Sequence, residues 1–243
     1  MSLLCCATKG ESEFSNDYLE FDQHIVPHVI QNTNWDCGLA SAAMVLRGMH
    51  VNVSLEDLAK QCAVESVWTI DLAFLLRKYV QDFTYYTSYF GSRKEYQDDQ
   101  FYQDEFDQDQ IRVNRLFSIA KSSSIHVVRM VLPLDDFKRF LYCKKFTMIV
   151  LVNARYLKCP ICKENQSCIL SACSQLNVIL NKVKGNTYLG HFVVLIGYDP
   201  INDMFIYRDP ATGDSYCVIS AEDLNHARQA EGTDHDCIVI QLR

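Results

Sequence analysis

The stretch LASAAMVL, Leu39 to Leu46, is apolar or small at every position and follows Asp36-Cys37-Gly38 directly. A helix built from it has no polar face, so it must be covered on nearly all sides and lie centrally in the fold. Turn and cap formers precede it in QNTNWDCG (31–38), and Gly48 marks its end. Cys37 therefore falls at the N-terminal tip of a buried helix. There, unpaired backbone N–H groups and the positive end of the helix dipole favour a thiolate. The same groups can hold a developing oxyanion. The competing reading of a lone cysteine is an inert buried thiol.

The 243 residues are 49% hydrophobic and 22% charged, an ordinary globular composition. The expected division is a flexible lead-in over 1–23 and a single domain over 24–243, carrying a cysteine-bearing insertion at 154–190. A net charge of −7 without a dense basic patch argues against nucleic acid and for a peptide or protein partner. No apolar run reaches the roughly 18 residues of a transmembrane segment, and no secretory signal is visible. Eleven cysteines, odd in number and unevenly spaced, read as reduced thiols of a cytoplasmic or nuclear protein.

The two halves of the chain differ in pattern. HIVPHVI (24–30) alternates like a short edge strand interrupted by Pro27. Helices are expected over 54–63, 68–80, 111–123 and 134–143, with a solvated acidic loop or helix start over 91–110. Strand-like runs fall at 82–90 and 126–132, and then dominate from 146 onward: 146–153, 191–199, 204–210, 215–220 and 237–243. The plan is α+β, a helical N-terminal half packed on a mostly antiparallel sheet.

A nucleophilic thiol needs a base, and the base needs an orienting group. His191 follows Gly190 and opens the strand HFVVLIGYD. Asp209 ends the next strand, after the turn YDPIND. Antiparallel pairing of those strands brings the start of the first near the end of the second. Gln31, six residues before Cys37, has a side-chain amide suited to a second oxyanion donor. Gly38 leaves room for a substrate carbonyl. Trp35 suits either the wall of a substrate cleft or packing on the sheet.

Gln31, Cys37, His191 and Asp209 together resemble the glutamine, cysteine, histidine and aspartate of papain-like cysteine peptidases. NWDCGLASAAMVL and GHFVVLIGYD are most similar to the branch that trims double-glycine leaders. WDCGLASAAMVLR, SVWTIDLAFLL, RVNRLF, VLVN and GHFVVLIGY also resemble a eukaryotic family labelled guanylylate cyclase, over nearly the whole chain. The first resemblance implies a papain-like fold and a cysteine hydrolase that needs no cofactor, with substrate beside Trp35, Gly38 and Gly190. The second implies a guanylyl cyclase making cyclic GMP from GTP. That chemistry calls for metal-holding carboxylates and a triphosphate site. Asp71 and the pairs Asp98–Asp99 and Asp135–Asp136 are the acids available for Mg²⁺, but no glycine-rich phosphate loop accompanies them. A third reading is a catalytically inactive module that holds peptides.

Four further thiols, Cys159, Cys162, Cys168 and Cys173, form a C-x2-C-x5-C-x4-C pattern. Four thiolates suit tetrahedral structural zinc and leave no open position for chemistry. Free thiols and a disulfide-prone loop are the other readings of the same spacing.

Overall fold

The computed structural model describes residues 26–93, 106–160 and 188–242. The lead-in, Asp98–Asp99, and most of the insertion with Cys162, Cys168 and Cys173 lie outside the described residues.

Helices α1 (Cys37–Gly48), α2 (Leu55–Cys62), α3 (Thr69–Arg77) and α4 (Phe106–Ile119) come from the first half. Helices α5 (Leu134–Tyr142) and α6 (Ala221–Gln229) come later. The strands are β1 (Phe83–Thr87), β2 (Val127–Arg129), β3 (Phe146–Asn153), β4 (Gly190–Asp199), β5 (Met204–Arg208), β6 (Cys217–Ser220) and β7 (Cys237–Gln241). They form one sheet in the order β2-β1-β7-β3-β4-β5-β6. Every pairing is antiparallel except β1 with β2. The α+β plan read from the sequence is therefore the observed one.

Local chemistry accounts for the helix starts. Ser54 accepts a hydrogen bond from the Asp57 N–H, and Ser220 accepts one from the Asp223 N–H, each in the first turn of its helix. Asp71 Oδ2 accepts from the Trp68 N–H at the start of α3. Residues 26–30 form no strand, unlike the edge strand expected from their alternation. Val26 and Val29 are buried as that pattern implies, but the hydrogen bonds of the segment run to a loop rather than into a ladder.

Alternation along the central strands sorts side chains into two cores. Phe192, Val194 and Ile196 of β4 join the core with α1, α2 and α3, whereas Val193 and Leu195 join the core with α5 and α6. Helices on both faces explain why β4 is buried almost throughout. On the first of these faces lies the helix predicted from LASAAMVL: residues Cys37 to Leu46 of α1 are all buried.

The seating of α1 on the sheet is tight. A Cβ added to Gly38 would lie 3.1 Å from Phe192 Cδ2 of β4 and 3.1 Å from Leu72 Cδ1 of α3. One turn on, Ser41 Oγ donates to the Phe192 carbonyl at 3.4 Å. The missing side chain of Gly38 thus makes room for helix–sheet packing. Gly38→Val should overpack this contact and destabilise the fold by about 1–3 kcal/mol. Urea denaturation would show this as a lower midpoint at unchanged slope, and an unchanged midpoint would contradict the packing.

Candidate active site

The turn into α1 is held by its own backbone. Asp36 sits at the N-cap but its side chain makes no cap hydrogen bond. Its carboxylate turns back instead, accepting from the Asn32 N–H at 3.1 Å and the Thr33 N–H at 2.9 Å. The first intrahelical bond runs from the Ala40 N–H to the Asp36 carbonyl, at 2.9 Å. The N–H groups of Cys37, Gly38 and Leu39 precede that bond and receive no side-chain cap, which leaves the positive end of α1 directed at the Cys37 thiol.

His191 is the second residue of β4, where it pairs with Val152 of β3. Only 3% of it is exposed, and Asp209 is fully buried. His191 Nε2 lies 2.8 Å from Asp209 Oδ1. Sheet register brings them together: Val194 pairs with Arg208, and Asp209 is the first residue past the end of β5. With Nε2 given to the carboxylate, Nδ1 is the ring nitrogen left over, and Cys37 acts electrostatically on the same imidazole.

Burial alone would lower the pKa of this imidazole, but the Asp209 carboxylate and then Cys37 outweigh it and raise the pKa from 6.5 to about 10. The proton is thus bound more tightly in the folded state than in the unfolded one.

The expected oxyanion donor is close by. Gln31 is buried, and its Nε2 donates to the Thr33 carbonyl at 2.6 Å, which uses one of two amide hydrogens and leaves the other to donate. Its backbone N–H donates to the Pro210 carbonyl at 2.8 Å, one residue past Asp209. Two more bonds stitch the same segments: His28 Nε2 to the Asp209 carbonyl at 2.9 Å, and Arg208 Nε to the Val26 carbonyl at 3.0 Å. The strip Val26–Gln31 is therefore fixed against Arg208–Pro210. The sequence held no pattern for this contact, because it joins residues about 180 apart through isolated bonds.

The remaining candidates are dispersed. Trp35 is partly buried and packs on the helical core. Gly190 pairs with Asn153 at the end of β3. Cys159 accepts from the Val218 N–H of edge strand β6 at 3.4 Å. Among the described residues no three His, Cys, Asp or Glu side chains gather to hold a metal ion. Asp71 is occupied as a helix cap and ion-pairs with Arg112 at 3.1 Å, while Asp109 takes the other arm of that guanidinium at 2.8 Å. Burial lifts the Asp71 carboxyl to about 6 although Arg112 pulls it down. Asp136 ion-pairs with Arg139. Among the described residues no helix is long and apolar enough to cross a membrane.

The sign of the His191 shift gives a stability test. A raised folded-state pKa contributes stability in full below pH 6.5 and loses it as pH rises through about 10. Asp209→Asn removes the main raising charge but leaves the burial. The melting temperature of the unaltered protein should therefore fall between pH 6.5 and 10 relative to that variant. Parallel curves would contradict the pairing.

Comparison with known proteins places these residues in a family. The model of the family described as guanylylate cyclase matches residues 26–240. Guanylyl cyclase 1 of Arabidopsis thaliana is 37% identical over 218 residues, covering 89% of this chain and 76% of that protein. Among solved structures the chain is similar to a putative C39-like peptidase from Bacillus anthracis. That likeness covers 90% of this chain and 95% of the other, at a TM-score of 0.46 and 15% identity, too distant to bear on chemistry. By the extent of the family match and of the plant relative, the chain belongs to the guanylylate cyclase family.

Proposed function

We propose that this protein is a cysteine hydrolase that cleaves a peptide or isopeptide bond, with Cys37 as nucleophile, His191 as acid and base, Asp209 as orienting carboxylate and Gln31 as oxyanion donor. One observation carries the reading: a buried imidazole has Asp209 2.8 Å from Nε2 and feels the charge of Cys37 at the tip of a buried helix. Acyl transfer needs this combination of nucleophile, shuttle and anion-holding N–H groups.

The sequence of steps follows from the geometry. His191, protonated up to about pH 10, already holds the proton that Cys37 gives up, and the thiolate forms a bond to the substrate carbonyl carbon. The carbonyl π pair moves onto oxygen, where the Cys37 N–H and the remaining Gln31 amide hydrogen receive it. On collapse the C–N bond breaks, and the amine leaves with the proton from His191. Water then gives a proton to His191 and attacks the thioester. The acid product departs, which leaves the thiolate beside protonated His191 again. No step calls on a cofactor. Asp209 keeps the imidazolium in place throughout and gains no proton itself.

The partner on this reading is a peptide or protein, and the cytoplasm, with or without the nucleus, is the compartment that suits a thiol nucleophile. A second reading is supported by the family and by the name of the plant relative: a guanylyl cyclase acting on GTP. The two are separable in one preparation. Electrophilic peptide and ubiquitin-like probes should add mass at Cys37, and Cys37→Ala should abolish both the adduct and any hydrolysis. Cyclic GMP formed from GTP with Mg²⁺ or Mn²⁺, undiminished in Cys37→Ala, would instead support the cyclase.

A further inference from the structure

Asp209 is aimed at His191 by very little of its own side chain. Oδ1 takes both of the carboxylate's hydrogen bonds, from His191 Nε2 at 2.8 Å and from the Ala211 N–H at 2.9 Å. Oδ2 is buried without a hydrogen-bond partner. A carboxylate held at one oxygen keeps its direction only if the backbone that carries it is fixed.

The bonds within the loop do not fix it. The Ala211 N–H to Oδ1 and the Thr212 N–H to the Asp209 carbonyl, at 3.3 Å, set the shape of residues 209–212 but move with them. The sheet does not fix it either, since the β4–β5 ladder ends at Arg208. What reaches the loop from outside is the strip Val26–Gln31. Within it, the bond to residue 209 itself comes from the half-buried His28, whose Nε2 lies 2.9 Å from the Asp209 carbonyl. A carbonyl only accepts, so this nitrogen carries the hydrogen.

We propose that His28 is a positioning residue: its ring N–H holds the backbone of Asp209 and thereby the aim of the carboxylate at His191. The proposal rests on the hydrolase reading only for its purpose, since the contact it describes exists with or without a substrate. A side chain nine residues before the thiol would then govern how firmly the base keeps its proton.

The test follows the His191 imidazole by NMR titration in substrate-free protein, so it gives a result whether or not Cys37 hydrolyses anything. His28→Phe keeps a ring but no donor. His28→Gln keeps an N–H at the same number of bonds from Cβ. With the Phe variant the His191 midpoint should fall by about one unit or more, a tenfold weaker hold on the proton, while Gln should keep the original midpoint. A Phe variant with the original midpoint, or a Gln variant shifted as far as Phe, would overturn the proposal. Should the Phe variant fail to fold, the unaltered protein decides: ¹⁵N shifts must place the hydrogen of neutral His28 on Nε2, and a neutral ring carrying it on Nδ1 would overturn the assignment. Loss of hydrolysis alone, with the midpoints as expected, would remove the hydrolase reading and leave the positioning role intact.

Discussion

The arrangement of the site depends on one contact, Gly38 of α1 against Phe192 of β4. Each residue is the immediate successor of a reactive one, Cys37 on the helix and His191 on the strand. The Phe192 side chain packs where Gly38 has none, which seats the start of α1 against the start of β4. The all-apolar sequence of α1 gives this contact its rigidity, because a helix buried at every position from Cys37 to Leu46 has no solvent face about which to roll. Fold stability and reactive geometry are therefore the same packing problem here.

A second layer of order comes from outside regular structure. The strip Val26–Gln31 brings the amide of Gln31 to the site and, through its bonds to Arg208, Asp209 and Pro210, steadies the carboxylate behind His191. Gln31 and Asp209 thus share one support. Asp36 serves the same end by folding its carboxylate back onto the Asn32 and Thr33 amides, which shapes the turn and leaves the first N–H groups of α1 uncapped.

Much of this was legible in the sequence, for physical reasons. LASAAMVL forced a central helix, and the period-2 runs after residue 146 gave most of the sheet. The proximity of His191 and Asp209 followed from antiparallel pairing of consecutive strands. Less local features were hidden. The alternation of HIVPHVI reports burial of Val26 and Val29 correctly, but Pro27 and bonds to a distant loop keep the segment out of the sheet. The placement of β7 between β1 and β3 has no local signature. Helix α6 was passed over although Ser220 and Asp223 carry a cap signal that could have revealed it. The packing of Gly38 against Phe192 and Leu72 has no signature in the sequence. Asp71, an acid available for Mg²⁺ by composition, is a buried cap and ion-pair partner.

The family and the site draw attention to different chemistries, and the reactivity of one thiol distinguishes them. The most direct measurement is the rate at which iodoacetamide alkylates Cys37 at pH 6, read by peptide mapping against the other cysteines, in the unaltered protein and in His191→Ala. The account predicts that Cys37 reacts ahead of the remaining thiols and that loss of the imidazole slows it at least about tenfold, since the thiolate is the nucleophile and His191 is what receives its proton. A Cys37 that reacts no faster than its neighbours, at a rate indifferent to His191, would contradict it.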